Sequence, residues 1–339
     1  MITYSQNTPL STDMIYPWQD RQWQQLMRQR QQQRLAHALL FQGPAGIGKK
    51  QCARTLAQAL LCQRPDASGL ACGRCEACHL VNAGTHPDYR VLEPTPPATS
   101  TSTNPVLTIK IDALRDLYRA LSETSQFGGY RVAVIQDADK MPTQAANSLL
   151  KTLEEPGRDT LMVLVSSHPQ RLPVTIRSRC QAIRFEVPET DLALEWLAGC
   201  GISGAQTALK LAHGAPLQAR DFAETQAEQR EILVRALSAS ATGETSIQYA
   251  QKLAQMPRDA LLTWLLDWVN DLGRLITIGG AAELVNEDQR NALETRARQA
   301  DKGRVFDLHD QICELMRAQG IALNLQLLWE NLLISWENL

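Results

Sequence analysis

The sequence predicts an α/β domain built on a parallel sheet, followed by domains made of helices. Short apolar segments alternate with amphipathic helical patterns in the first half of the chain. The apolar segments lie at residues 38–41, 130–135 and 161–165, and the helical patterns lie at residues 49–61, 111–122 and 143–153. Strands that are apolar throughout and alternate with helices are typical of a parallel sheet that is covered on both faces.

The strand signal ends at Pro188, and helical patterns continue from there to the end of the sequence. We therefore predict three domains. They comprise residues 1–187, a small helical domain at 188–237 and an all-helical domain at 238–339. Weaker patterns predict a loose arm at 1–15, a helix at 19–34 and strands at 88–92 and 183–187. Residues 93–105 are rich in Pro, Ser and Thr and are predicted to form a surface loop. The sequence does not indicate a role for this loop.

The composition limits the ways in which the protein can contact nucleic acid. The chain has 339 residues with 34 Lys and Arg against 36 Asp and Glu, a net charge of −2, so any such contact has to come from a local patch. In the helix predicted at 19–34, Trp23, Leu26 and Met27 follow helical spacing, which favours an amphipathic surface helix. The alternative is a nucleic-acid patch formed by Arg28, Arg30 and Arg34.

The sequence has neither an apolar run of about 18 residues nor a secretory signal pattern at its start. We therefore expect a soluble, cytoplasmic protein without a membrane partner. In a reducing compartment, the eight cysteines are expected to be metal ligands or buried thiols rather than disulfides.

A glycine-rich loop, GPAGIGKK at residues 43–50, joins an apolar segment to a helical pattern. Gly43, Gly46 and Gly48 shape such a loop, whose backbone N–H groups cradle phosphates, and Lys49 would neutralise the β and γ phosphates of a nucleotide. Lys50 stands where Ser or Thr would bind Mg²⁺. Nucleotide binding without hydrolysis and a loop retained for the fold both remain open.

The acidic element that follows the apolar segment at 130–135 is altered too. A hydrolysing ATPase presents a carboxylate to the metal's water shell here and then a catalytic carboxylate. The chain instead has the neutral amide of Gln136, followed by Asp137, which is one methylene shorter than the usual Glu. Both changes affect metal coordination and water activation, so ATP hydrolysis by this chain alone is not expected, and binding of Mg-ATP is in doubt.

Four cysteines predict a structural metal site within residues 62–78. They are Cys62, Cys72, Cys75 and Cys78, which include two overlapping C-x₂-C steps. Four thiolates complete a tetrahedral zinc site that has no open position. An iron–sulfur cluster and free thiols are the alternatives, and the adjacent His79 is not expected to be a ligand.

A polar loop with the sequence SRC occupies residues 178–180. Arg179 is by default a surface arginine, but on a rigid loop it can also reach a neighbouring subunit's γ-phosphate. The glycine loop, the cysteine insert, GTHPD at 84–88, ANSLLKTLEEP at 146–156 and SRC together resemble the clamp-loader branch of the AAA+ ATPases. The resemblance is dense at 16–185 and only architectural after about residue 238.

The resemblance implies a five-subunit assembly that opens a ring-shaped sliding clamp and places it on primed DNA. The two helical domains would be a lid and an oligomerising collar. Arg179 would complete a neighbour's ATP site in trans, and the partners would be gamma/tau motor subunits, a clamp-opening delta subunit, the clamp and DNA. In motor subunits an arginine follows the lid glycine by three residues, where this chain has Leu217, while Ser166 or Ser167 would serve as the polar sensor.

Three functional hypotheses follow. The first is a non-hydrolysing subunit that acts through Arg179, and the second is an active motor ATPase of the gamma/tau kind. Lys50, Gln136 and Leu217 argue against the second. A zinc-dependent DNA-binding module is the third, disfavoured because base-stacking aromatic residues are not interleaved with basic ones.

Overall fold

The computed structural model describes residues 15–96, 107–238, 246–317 and 324–339. These residues form two compact units, of which the first ends at Glu189 and the second begins at Thr190. Residues 1–14 of the predicted arm and 97–105 of the predicted loop lie outside the described residues.

The first unit is built on a five-stranded parallel sheet, as predicted. The strands are β1 (Ala38–Gln42), β2 (Tyr89–Leu92), β3 (Arg131–Ile135), β4 (Thr160–Ser166) and β5 (Gln181–Arg184). Their order in the sheet is β2-β3-β4-β1-β5, and all neighbours pair in parallel. The prediction of 183–187 for the last strand was wrong by two to three residues, because the pairing with β1 runs from Gln181 to Arg184.

Six α-helices are described in the same unit. They are α1 (Asp20–Gln31), α2 (Lys49–Leu61), α3 (Glu76–Asn82), α4 (Ile111–Ser122), α5 (Thr143–Glu154) and α6 (Val174–Arg177). Helices α2 and α4 contact the sheet. The predicted bounds of α2 and α4 are confirmed, whereas α3 and α6 were missed because they are too short for a helical period to be visible. Leu40 and Leu164 in the sheet share one apolar core with Leu117 of α4 and Leu149 of α5.

The described part of the second unit consists of helices without strands. They are α7 (Thr190–Gly199), α8 (Ala205–Leu211), α9 (Pro216–Asp221), α10 (Ala227–Ser238), α11 (Ser246–Leu253), α12 (Arg258–Ile278), α13 (Arg290–Ala297), α14 (Lys302–Arg317) and α15 (Leu325–Glu337). One apolar core runs through them, and the indole N–H of Trp336 donates to the Leu237 carbonyl at 2.9 Å. This core crosses the predicted domain boundary at residue 237, so the division into lid and collar stays a prediction.

Among the helices that the structure describes, none is both long enough and apolar enough to cross a membrane.

Candidate nucleotide site, cysteine cluster and arginine loop

The glycine loop lies where the sequence predicts it, between the carboxyl end of β1 and the first residue of α2. Two of its glycines cannot carry a side chain. A Cβ on Gly43 would lie 2.0 Å from the Phe185 carbonyl oxygen, and one on Gly48 would lie 2.5 Å from the Tyr16 ring. Gly48 also has a φ of 85°, a left-handed conformation that favours glycine. Both positions therefore require glycine, as the sequence motif does.

Lys49, the predicted phosphate ligand, bends back onto its own loop. Its ammonium donates to the carbonyls of Gly43 (2.8 Å) and Pro44 (2.5 Å) and to the Ser167 hydroxyl (3.2 Å). The residue is only 5% exposed, and this burial lowers its pKa to about 8. The loop thus supplies hydrogen-bond acceptors to the cation that a nucleotide phosphate would otherwise contact.

Lys50, which stands where the motif would have a magnesium ligand, forms an ion pair. Its Nζ lies 2.9 Å from Oδ2 of Asp137, directly beyond β3, with Lys140 Nζ 3.9 Å from the same oxygen. A Mg²⁺ ion would need the oxygen ligands that Ser or Thr and an acidic residue supply. In this chain, the Asp137 carboxylate is instead neutralised by a lysine. Gln136 precedes it, and its backbone N–H donates to the Leu92 carbonyl at 2.8 Å.

Asp139 belongs to this site and was missed by the sequence prediction. Its Oδ1 accepts hydrogen bonds from the Ser166 hydroxyl (2.6 Å) and the Ser167 backbone N–H (3.2 Å). Burial opposes its ionisation, but the hydrogen bond from Ser166 and its other interactions hold its pKa below the ordinary value. The sequence feature that could have identified it is the second aspartate of the DAD string at 137–139, which directly follows Gln136. Of the two candidate sensor serines, Ser167 contacts Lys49, and Ser166 anchors Asp139.

Residues from the start of the described chain cover the glycine loop. The side-chain N–H groups of Trp18 and Gln19 both donate to the Ile47 carbonyl, at 3.0 and 2.8 Å. The Tyr16 and Trp18 rings stack with centroids 5.0 Å apart, and Tyr16 lies against Gly48. We call Tyr16, Trp18 and Gln19 the aromatic cover. The sequence did not predict it, because residues 29 positions apart meet only in the folded chain.

The four predicted metal ligands come together. The sulfur atoms of Cys62, Cys72, Cys75 and Cys78 all lie within 4.8 Å of one another. The sulfurs of Cys75 and Cys78 are 3.4 Å apart, and those of Cys62 and Cys75 are 3.9 Å apart. Four sulfurs at 2.3 Å from one zinc ion would be about 3.8 Å apart, so this cluster can hold such an ion.

The chemistry of the cluster also favours a cation. The backbone N–H of Arg74 is the main cause that lowers the pKa of Cys72 to about 6, while burial raises the pKa of Cys78. Backbone N–H groups of Arg64 and Cys72 donate to Cys62 Sγ, at 3.3 and 3.2 Å. Four thiolates this close repel one another unless a metal ion neutralises them. His79 is not part of the cluster among the described residues.

Helix α1 links the cysteine insert to the aromatic cover. The indole N–H of Trp23 donates to the Ser68 carbonyl in the insert at 3.2 Å, and a Cβ on Gly69 would lie 2.4 Å from Met27 Sδ. Trp23, Leu26 and Met27 are buried, so the predicted amphipathic character of this helix is confirmed. The aromatic cover immediately precedes α1, and the same helix therefore touches the insert and positions the cover.

Arg179 stands on the short loop between α6 and β5, with a side chain that is 36% exposed. Its Nε and Nη2 atoms both donate to Oε1 of Glu154, at 2.9 and 2.5 Å, and its Nη1 donates to the Thr175 carbonyl at 2.9 Å. The guanidinium is therefore held in one orientation at the surface of the first unit.

The sheet separates Arg179 from the glycine loop. Since β1 and β5 are parallel with Leu39 opposite Gln181, the loop that carries Arg179 precedes these paired strands at their amino ends, whereas the glycine loop follows the carboxyl end of β1. The five residues of β1 correspond to about 17 Å along the strand. An arginine side chain is too short to cross this distance. Arg179 and this chain's glycine loop therefore belong to different edges of the sheet.

The chain resembles known proteins along almost its whole length. It matches the family described as "DNA polymerase III, delta subunit" over residues 18–189 and "DNA polymerase III, delta subunit, C terminal" over residues 224–338. It is 37% identical to DNA polymerase III subunit delta' of Pseudomonas aeruginosa, covering 96% of this chain and 98% of that protein. It is 33% identical to the Escherichia coli protein of the same name, covering 95% of each.

Proposed function

The chain belongs to the family of DNA polymerase III subunit delta', and from this membership we propose that it is a clamp-loader subunit that donates Arg179 to a neighbour's ATP site. In this proposal the chain does not hydrolyse ATP itself. It takes part in ATP-dependent loading of the sliding clamp on primed DNA, as a rigid element against which motor subunits move.

The observation that carries the proposal is the position of Arg179 across the sheet from the chain's own glycine loop. An arginine that cannot reach the nucleotide site of its own subunit acts on phosphate only in trans. Its partial exposure and its fixed orientation suit contact with a second protein. An arginine finger stabilises the charge that develops on the transferred phosphoryl group.

The contacts at the glycine loop support the proposal that this chain does not hydrolyse ATP itself. The ion pair between Lys50 and Asp137 takes up the carboxylate that catalysis would need, and Lys49 is bound to its own loop. Activation of a water molecule and coordination of Mg²⁺ therefore lack their usual residues. The loop contributes to the fold as the connection between β1 and α2.

The proposal implies partners and a metal. The partners are motor subunits of the gamma/tau kind and a delta subunit, and through the assembly the sliding clamp and primed DNA. In a cytoplasmic replication protein, the four-cysteine cluster would hold zinc as a structural ion that fixes the insert.

The test is ATP turnover by a reconstituted loader, stimulated by clamp and primed DNA, with this chain as wild type or as Arg179→Ala. We expect a loss on the order of 10³-fold at the neighbouring site, and a smaller drop in total turnover if the remaining sites continue. Arg179→Lys should not restore the rate, because an ammonium lacks the forked guanidinium. Assembly, followed by gel filtration, should remain intact.

Arg177→Ala is the matched control, since it removes an exposed arginine at the end of α6, two residues before Arg179. Its turnover should equal that of wild type. Unchanged turnover with Arg179→Ala in an intact assembly would refute the proposal, and an equal loss from both variants would attribute the effect to the charge of the loop rather than to Arg179.

The second candidate function is a motor ATPase of the gamma/tau kind. The preserved shape of the glycine loop, with Gly43, Gly48 and Lys49 in place, is the observation that favours it. Robust ATP turnover by the isolated chain, abolished by Lys49→Ala, would support this alternative.

A further inference from the structure

Glu154 contacts Arg179 from the end of a different element. It is the last residue of α5, and a single oxygen of its carboxylate accepts from both Nε and Nη2 of Arg179. Neither side chain is buried, at 51% exposed for Glu154 and 36% for Arg179. A surface ion pair of this kind adds little to the stability of the fold. Stability alone therefore does not explain why three N–H groups of the Arg179 guanidinium form hydrogen bonds here.

The position of Glu154 is unfavourable without its partner. The carboxyl end of a helix carries partial negative charge, which disfavours an acidic side chain in the last turn. Two adjacent glutamates, Glu154 and Glu155, nevertheless stand at this end of α5. Arg179 offsets the charge of the first, whereas Glu155 is exposed and forms no ion pair among the described residues. Glu155 is therefore a natural control for Glu154.

The contacts leave part of the guanidinium unused. Arginine has five N–H donors, and Glu154 and the Thr175 carbonyl accept from three of them. One N–H on Nη1 and one on Nη2 form no hydrogen bond with the described residues. A phosphate oxygen can accept both without displacing Glu154. An arginine whose orientation is already fixed loses less conformational entropy when it binds.

We propose that Glu154 is a positioning residue, which holds the Arg179 guanidinium so that its two remaining N–H groups face the γ-phosphate of the neighbouring site. This inference rests on the proposed role of Arg179 in trans. Glu154 itself touches no substrate and acts only through the arginine. Its removal should slow the chemical step while leaving ATP binding at the neighbouring site nearly unchanged.

The experiment is a double-mutant cycle in the reconstituted loader with Glu154→Ala, Arg179→Ala and the double variant. We expect Glu154→Ala to lower kcat by about two- to fivefold, since an exposed ion pair contributes at most about 1 kcal/mol, with KM for ATP unchanged. In the Arg179→Ala background, Glu154→Ala should have no further effect, because both changes remove one function.

Two further variants exclude a merely structural role. Glu154→Gln keeps an oxygen acceptor and should restore part of the rate, and Glu155→Ala should leave turnover at the wild-type level. The thermal midpoint of the isolated chain should be the same for all four single variants, and this equality shows that each folds.

The outcomes separate the inference from the proposal on which it rests. If Arg179→Ala lowers turnover but Glu154→Ala leaves it unchanged or raises it, the positioning role is refuted and the finger remains. An equal loss from Glu154→Ala with and without Arg179 also refutes it. If Arg179→Ala itself has no effect, both the proposed function and this inference fail.

Discussion

Two cationic regions of the first unit differ in how their charge is used. At the glycine loop, the ammonium of Lys49 is turned inward onto two backbone carbonyls, and Lys50 is paired with Asp137. At the arginine loop, the guanidinium of Arg179 lies at the surface, and two of its N–H donors form no hydrogen bond with the residues that the structure describes. The first region satisfies its own cations, whereas the second keeps hydrogen-bonding capacity for another molecule.

The two regions differ in whether their cationic groups remain available to bind another molecule. Lys49 is buried and donates to two carbonyls of its own loop, so its ammonium has little hydrogen-bonding capacity left for a phosphate. The arginine loop needs the fold only as a rigid support. In the function proposed above, the glycine loop at the carboxyl end of β1 would serve the fold, and Arg179 at the opposite end of the strands would act on a neighbouring subunit.

The largest effect is expected for a change in the cysteine insert, because α1 packs on the insert and positions the aromatic cover over the glycine loop. Cys75→Ser would remove one of the four ligands of the proposed zinc site and should lower the free energy of unfolding of the first unit on the order of 3 kcal/mol, since a structural zinc ion contributes directly to folding. Hydrogen exchange should accelerate in α1 and the aromatic cover, because Trp23 and Met27 of α1 pack on the insert. It should stay unchanged around Arg179.

The matched control for this prediction is Cys200→Ser, which replaces a half-buried thiol of the second unit outside the cluster. It should retain both the metal, measured by elemental analysis, and the exchange pattern of wild type. Full zinc content in Cys75→Ser, or exchange that is faster at the arginine loop than at the aromatic cover, would contradict the link through α1.

The next effect concerns the buried charge of Lys49, whose pKa is lowered from 10.5 to about 8, mainly by burial. Below pH 8 the lysine is protonated in both states, so the cost of burying the charge is present in full. Between pH 8 and 10.5 only the unfolded chain keeps the proton, and folding therefore gains stability as the pH rises. Relative to Lys49→Met, wild type should gain on the order of 2 kcal/mol between pH 7 and 10.

Urea unfolding of both proteins at pH 7, 8.5 and 10 measures this gain. All other titrating groups are common to both proteins and cancel in the difference. A difference that does not change with pH would mean that Lys49 is exposed to solvent, and that the glycine loop is open rather than closed on its own cation.

A smaller effect is expected when magnesium ligands are restored at the glycine loop, which should then bind ATP more tightly. Lys50→Thr together with Gln136→Asp restores a hydroxyl and a carboxylate for Mg²⁺ and removes the ion pair between Lys50 and Asp137. We expect the affinity for ATP to rise about tenfold in the presence of Mg²⁺ and not in EDTA, since the new ligands act through the metal. Titration with a fluorescent ATP analogue measures it.

Adding Lys49→Ala to this pair is the control and should remove the gain. If the pair alone gives no gain, the inward orientation of Lys49 is sufficient to keep phosphate out, and the substitutions at positions 50 and 136 are secondary to it.

The smallest effect is expected for the stability contributed by the arginine loop. Glu154→Ala should change the free energy of unfolding by less than about 1 kcal/mol, because both partners of the ion pair are exposed. Glu155→Ala should give the same result within error. A loss several times larger than this for Glu154→Ala alone would assign the pair to the architecture and weaken its role in positioning Arg179.

Much of the fold follows from local pattern. The bounds of α2 and α4 agree with the sequence prediction because each helix has one apolar stripe bordered by polar residues. The four cysteines and the glycine loop could be predicted because a metal ion and a phosphate both require fixed residue types at short spacing. The end of β5 could not, since it depends on the length of β1.

The sequence by itself determined which chemical groups this chain possesses. It identified the glycine loop, the four thiols, the replacement of magnesium ligands at Lys50 and Gln136, and an arginine in an SRC loop. Only the tertiary structure decided which groups meet: Lys50 with Asp137, Trp18 with Ile47, and Arg179 with Glu154. Ion pairs and hydrogen bonds depend on distances of about 3 Å, and the folded sheet sets those distances between residues that lie from 25 to 87 positions apart in the chain.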